Sequence, residues 1–237
     1  MISPDDSTTP SAPAAVGERV VLLHGLSPLP FALRPLQSAL CRAGFRPLPW
    51  RYPSRRHDVA TLVRRFRAWL AMFEGATAPI HFVGFSLGAI LIRAGLGQPV
   101  DFPLGRVVMI APPNDGANLV ARLRHLAWLS HIYGRPALEF TRGDPWLGRL
   151  PTPACPIGVI AGTRRLHAAN PNSWLNALLG NAEAHDGTVE VASTQLAGMR
   201  DFTTVDATHT LITRHPETIR QVIGFLRDGR FAPGVPG

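Results

Sequence analysis

The chain has no lysine: all 24 of its Lys-or-Arg positions are arginine. Against 16 acidic residues they leave a formal net charge of +8, a balance that attracts nucleic acid, anionic lipid or acidic substrates. The arginines are scattered, however, apart from short groups such as Arg64-Arg65-Phe66-Arg67. No zinc-finger, helix-turn-helix or RNA-binding aromatic signature accompanies them. Nucleic acid is therefore not an expected partner, and the exclusive use of arginine reads as a base-composition bias of the genome. Cysteine is nearly absent as well. Cys41 and Cys155 give neither a disulfide framework nor a metal-ligand spacing. Both are expected to be buried or partly buried thiols, which suits a reducing compartment and a cytoplasmic location. No apolar run approaches the roughly 20 residues that cross a bilayer. The N-terminal MISPDDSTTPSAPAAVGE has early acids and no apolar h-region, unlike a secretory signal. An arginine-rich, tryptophan-containing surface leaves weak contact with a membrane surface open, and the oligomeric state is not legible.

What the chain does have is 237 residues with 46% apolar content, enough for one domain around a single sizeable core. A flexible arm is expected over residues 1–17, one domain over 18–231 and a loose tail over 232–237. Arg19 to Leu23 is a short continuous apolar run, the pattern of a strand buried on both faces. A helix is predicted from about Pro30 to Ala43, stopped by Gly44, then a strand from Phe45 to Tyr52 that Pro47 and Pro49 consign to a sheet edge. Asp58 is an N-cap for a helix running to about Phe73. Strands follow at Pro79–Val83, Gly105–Ala111, Pro156–Ala161 and Arg200–Val205, with helices at Leu87–Leu96 and Pro216–Leu226. This alternation predicts an α/β fold, a mainly parallel twisted sheet with helices on both faces. The rhythm breaks at residues 112–153, an insert with helical apolar spacing from Gly116 to Ile132. It reads equally as a lid or as a helix packed permanently on the domain.

Gly84-Phe85-Ser86-Leu87-Gly88 sits between a predicted strand and a predicted helix. Ser86 is either an ordinary turn residue or a nucleophile raised on a strained turn, where side chains at 84 and 88 would collide with the neighbouring strand and helix. His24-Gly25, just past the first strand, falls on the same rim of a parallel sheet. The backbone N–H of Leu26 can there join that of Leu87 as an oxyanion hole; Gly25 keeps the approach open, and His24 is expected to orient the loop. Downstream, Asp186-Gly187 and His209 complete the order Ser…Asp…His, with His209 as base and Asp186 as the acid that fixes its tautomer. Asp206 stands too close in sequence to His209 for that role, and the remaining histidines read as exposed or packed polar residues.

With VVLLHG, GFSLG, IAPPNDGANLV, DGTVEVAST and VDATHT in hand, the chain resembles the α/β-hydrolase superfamily, and within it small bacterial lipase/esterase-like serine hydrolases. It departs from many of them in Leu26-Ser27-Pro28-Leu29, where extra glycines are usual, and in Phe85, where many lipases carry His. The resemblance implies hydrolysis of a small-molecule or lipid ester through an acyl-enzyme, with no cofactor or metal. The same triad also serves thioesterases, acyltransferases and amidases, and a non-catalytic binding protein can share the fold.

Overall fold

The computed structural model describes residues 17–26, 32–118, 139, 141–165 and 183–233. Most of the expected N-terminal arm, most of the helix expected over 116–132 and residues 234–237 of the tail lie outside the described residues. Six strands are present among them: β1 (Arg19–Leu23), β2 (Arg46–Trp50), β3 (Ile80–Phe85), β4 (Leu104–Ile110), β5 (Ile157–Gly162) and β6 (Asp201–Val205). The described helices are α1 (Arg34–Arg42), α2 (Val59–Leu70), α3 (Leu87–Leu96), α4 (Pro145–Arg149), α5 (Val191–Thr194) and α6 (Pro216–Asp228). All neighbouring strands run parallel, in the order β2-β1-β3-β4-β5-β6.

Strand period 2 sorts the core into two layers. Val21, Leu23, Ile80, Phe82, Val107, Met109, Ile157 and Val159 join the α2 and α3 residues Leu62, Phe66, Leu91 and Leu96 in one buried cluster. The residues between them, Val20, Leu22, Val83, Phe85, Val108, Ile110 and Ile160, join Leu36 and Leu40 of α1 and Val222, Phe225 and Leu226 of α6 in the other. Helices thus cover both faces, which is why the strands read as unbroken apolar runs.

Local chemistry sets the element ends. Asp58 accepts from the Thr61 N–H at 2.7 Å and starts α2. That helix ends at Leu70, and Ala71–Phe73, expected as its last turn, tightens to a 3₁₀ turn. The first helix starts at Arg34 rather than near Pro30, because Pro35, which has no N–H to donate, suits the opening turn. Gly44 follows it with φ +91°, the left-handed conformation expected of it. Cys41 is exposed, a correction to the expectation of a buried thiol: the buried stripe of α1 is Leu36, Ala39 and Leu40, and position 41 falls beside it. Cys155 is half-buried.

The edge position of β2 is as expected, and its two prolines have a definite place. The Arg46 N–H donates to Glu18 O at 2.8 Å, so alternate residues 46, 48 and 50 turn their N–H groups toward β1. Pro47 and Pro49 fall at the positions facing the open edge, where a missing donor costs no ladder bond and discourages another strand from pairing.

Three histidines are held neutral. Burial lowers the pKa of His24, His81 and His185 below the ordinary 6.5, for His81 in spite of Glu18 at 3.1 Å. His81 Nδ1 accepts from the Arg106 N–H and His185 Nδ1 from the Gly187 N–H, both at 2.9 Å, bonds that a proton on either nitrogen would abolish. The unfolded chain binds protons at these sites near pH 6.5 while the folded chain resists, so their contribution to stability is complete above that pH and is lost as pH falls toward the lower folded values. Glu139, raised above its ordinary value by burial, opposes this as one group against three. The urea midpoint is expected to be flat between pH 8 and 7 and to fall between about pH 6.5 and 5, above the carboxylate range; a midpoint constant across that window would refute the assignment.

Candidate active site

The end of β3 turns into α3 through Ser86, whose φ of 51° and ψ of −120° are strained for a residue with a side chain. The flanking glycines make the turn passable. A Cβ on Gly84 would lie 2.6 Å from the Ala89 backbone of α3, and one on Gly88 would lie 2.6 Å from His24 O and still nearer Leu23 O. These are the collisions with helix and strand that the sequence pattern anticipates. Ser86 N–H is spent on Ile110 O at 2.9 Å, whereas Leu87 and Gly88 open α3, where N–H groups have no partner inside the helix.

His209 follows β6 and reaches back over the rim. Its Nε2 lies 3.1 Å from Ser86 Oγ and its Nδ1 2.7 Å from Asp186 Oδ2. Asp186 is 1% exposed and held from every side. Its Oδ1 accepts from the N–H groups of Thr188 and Val189, at 3.0 and 2.8 Å, and its carbonyl accepts from His209 N–H at 2.9 Å. The turn that permits this uses Gly187 at φ +93°. Gly162, at the end of β5, is equally constrained, since a Cβ there would stand 2.7 Å from Asp186 Cβ. With Oδ1 committed to backbone donors, Oδ2 alone faces the imidazole, so Nδ1 carries the proton and Nε2 is free to accept one from Ser86.

The third motif lies beside this pair. β1 pairs with β3 in the register Leu23↔Gly84, which carries Gly25 alongside Ser86. A Cβ on Gly25 would meet the Phe85 ring at 2.9 Å and Ser86 Cβ at 3.1 Å, the crowding expected there. Phe85 itself packs against the His209 ring, centroids 5.0 Å apart. His24 is buried, with its Nδ1 2.7 Å from Gly25 O; because a carbonyl only accepts, Nδ1 carries the proton.

Several chains of known structure with this arrangement of elements carry hydrolase names. The chain superposes on a lipase of Bacillus licheniformis in its mature form with a TM-score of 0.72 at 16% identity, covering 91% of this chain and 94% of the lipase. A metagenomic carboxyl esterase gives 0.65 at 19% identity, over 84% of this chain and 66% of that one. A phospholipase of Legionella pneumophila gives 0.58 at 16% identity, over 75% and 45%. This chain has an α/β-hydrolase fold. No protein-family model and no curated protein matches the sequence. Within this architecture Ser86, Asp186 and His209 follow the ends of β3, β5 and β6, where the strand ends open toward one crevice.

Asp206 and two other acids, Asp201 and Asp115, are occupied elsewhere. Asp206 pairs with Arg164 at 2.5 Å, Asp201 accepts from Phe231 N–H at 2.6 Å, and Asp115 lies 3.4 Å from Arg142. Among the described residues no His/Cys/Asp/Glu group is arranged to hold a metal, and no helix is long and apolar enough to cross a membrane.

Sequence reading does not find the seam behind the acid loop. Asp115 N–H donates to Ser193 O at 3.1 Å, Asn114 Nδ2 to Thr194 O at 2.8 Å, Asn118 N–H to the fully buried Glu190 at 3.2 Å, and Ser193 Oγ to Gly116 O. Arg142 closes it, 2.7 Å from Glu183, and Gly143 N–H donates to Asp115 O at 3.0 Å. Residues 114–118 and Arg142, two stretches of the segment between β4 and β5, are thereby bound to the loop that carries Asp186.

Proposed function

We propose that the protein is a serine hydrolase of carboxylic esters, lipase- or esterase-like, working through an acyl-enzyme on Ser86. The observation that carries this reading is the relay from a strained elbow: Oγ to Nε2 at 3.1 Å, then Nδ1 to Oδ2 at 2.7 Å. His209 takes the Ser86 proton as Oγ attacks the ester carbonyl. The carbonyl π pair becomes an oxyanion, held by the N–H groups of Leu26 and Leu87. Collapse of that intermediate breaks the C–O bond to the alcohol, which leaves with the proton from Nε2. Water then attacks the acyl-enzyme, giving its proton to His209, and a second collapse returns the proton to Ser86 and releases the acid. Asp186 stays ionised throughout, stabilising the imidazolium. No step calls for a metal or cofactor.

The substrate class is a hydrophobic ester, short-chain or lipid-like. The naming of the structural neighbours as lipase, carboxyl esterase and phospholipase supports ester chemistry. A fluorophosphonate probe is expected to add one phosphonyl group to the folded protein, located by mass on the peptide containing Ser86. A graded series of p-nitrophenyl esters then reads the acyl preference. Folded protein that takes up no probe would overturn the reading.

A further inference from the structure

The oxyanion loop raises a mechanical question. Leu26 N–H is useful only if it points where charge develops, yet it hangs from Gly25, the residue type with the greatest backbone freedom. Two successive peptide planes must be held. In the second, Gly25 C=O and Leu26 N–H lie trans in one rigid unit, so the His24 Nδ1–H bond to Gly25 O, at 2.7 Å, sets the direction of the donor. That bond in turn needs a fixed imidazole and a fixed first plane.

Tyr52, just beyond the end of β2, supplies both. Its hydroxyl donates to His24 O, which orients the first plane. Its ring stacks on the His24 imidazole with centroids 4.3 Å apart and 15° between planes, and Trp50 stacks behind it at 4.5 Å and 17°. His24 O has little chance of another partner, because Gly88 of α3 lies close against it. Tyr52 is 7% exposed and its phenol is held protonated by burial, so the donor persists across the working range of pH.

We propose that Tyr52 is a positioning residue for the oxyanion hole, its hydroxyl and ring together locking the His24–Gly25 backbone so that Leu26 N–H faces the reacting carbonyl oxygen. The proposal rests on the acyl-enzyme reading above. It assigns Tyr52 no contact with substrate: the residue acts through His24.

Tyr52→Phe keeps the stacked ring and removes only the donor. With p-nitrophenyl butyrate, kcat is expected to fall between about 10-fold and 100-fold, less than or equal to the loss from deleting one oxyanion donor, while KM stays within about twofold. The Ki of an alkylboronic acid, which forms a tetrahedral anionic adduct on Ser86, is expected to rise by the same factor as kcat falls. A purely structural role would lower the melting temperature but leave kcat and Ki of the folded protein at wild-type values, and that result overturns the proposal. A second readout avoids the variant altogether. The chain has two tyrosines, so 3-fluorotyrosine incorporation into a Tyr133→Phe background leaves one ¹⁹F resonance, that of Tyr52. It is expected to shift on adding the boronic acid to otherwise wild-type protein and not in Ser86→Ala; an unmoved line also overturns the proposal. Wild-type protein that neither hydrolyses the ester nor binds the boronic acid would bring down the ester-hydrolase reading with it, whereas active wild type beside an equally active Tyr52→Phe removes the Tyr52 role alone.

Discussion

Replacing Ser86 with Ala is expected to lower kcat for ester hydrolysis by about a million-fold, the scale at which other serine enzymes lose their nucleophile. The size follows from what disappears: the attacking atom and, with it, the only route to an acyl-enzyme. What survives is the preorganised hole and the binding surface, which by themselves leave roughly a thousandfold advantage over water. The fold is expected to survive too. Ala tolerates φ 51° about as poorly as Ser does, the turn is fixed by Ser86 N–H on Ile110 O, and the two flanking glycines remain. Steady-state rates with p-nitrophenyl butyrate, set beside a thermal melt, separate chemistry from stability. A well-folded variant hydrolysing at the wild-type rate would place the nucleophile elsewhere.

Asp186→Asn is expected to cost about ten-thousandfold in kcat, for a reason visible in the hydrogen bonds. Oδ1 accepts from two backbone N–H groups, Thr188 and Val189. An Asn at this position must turn its oxygen toward those two donors, because its amide NH₂ cannot accept from them. The NH₂ then faces His209 Nδ1 and makes that nitrogen the acceptor, which moves the imidazole proton to Nε2, the atom that must take the proton of Ser86. The loop geometry therefore enforces the unproductive tautomer. Asp186→Ala loses the orienting bond but imposes no tautomer, so Asn is expected to be at least as inactive as Ala despite being the closer replacement in shape. Kinetics of the two variants, with circular dichroism to confirm the fold, test the ordering. An Asn variant far more active than the Ala variant would show that the backbone donors do not govern the amide.

The parallel sheet and its two helical layers were legible because each buried strand is a short unbroken apolar run and each helix carries its own stripe; the order of the strands came from the structure. Gly44, Asp58, Pro47 and Pro49 announced their places through conformational and hydrogen-bonding needs that act within a few residues. The proximity of Ser86, His209 and Asp186 was readable from chain order, since a parallel sheet gathers its strand ends on one rim. Tyr52 was not, because a hydroxyl reaching the carbonyl of residue 24 depends on the neighbouring of β1 and β2, and no local pattern marks it. Nor was the role of Glu190, a fully buried carboxylate that accepts from the Asn118 N–H, 72 positions away. Cys41 went the other way: it lies one position past Leu40, beside the buried stripe of α1 and not on it.

The seam joining residues 114–118 and 141–144 to the loop that carries Asp186 acts on that loop from outside the site. Asp115 and Gly116 reach Ser193, Asn118 reaches Glu190 and Arg142 reaches Glu183, so the loop is held on both sides of Asp186. Arg142 stands between Asp115, at 3.4 Å, and Glu183, at 2.7 Å, and Gly143 N–H closes on Asp115 O at 3.0 Å. The loop that carries Asp186 is thus braced from outside, as an arch is held by its abutments, by residues that do not themselves touch Asp186, Ser86 or His209 in any described hydrogen bond.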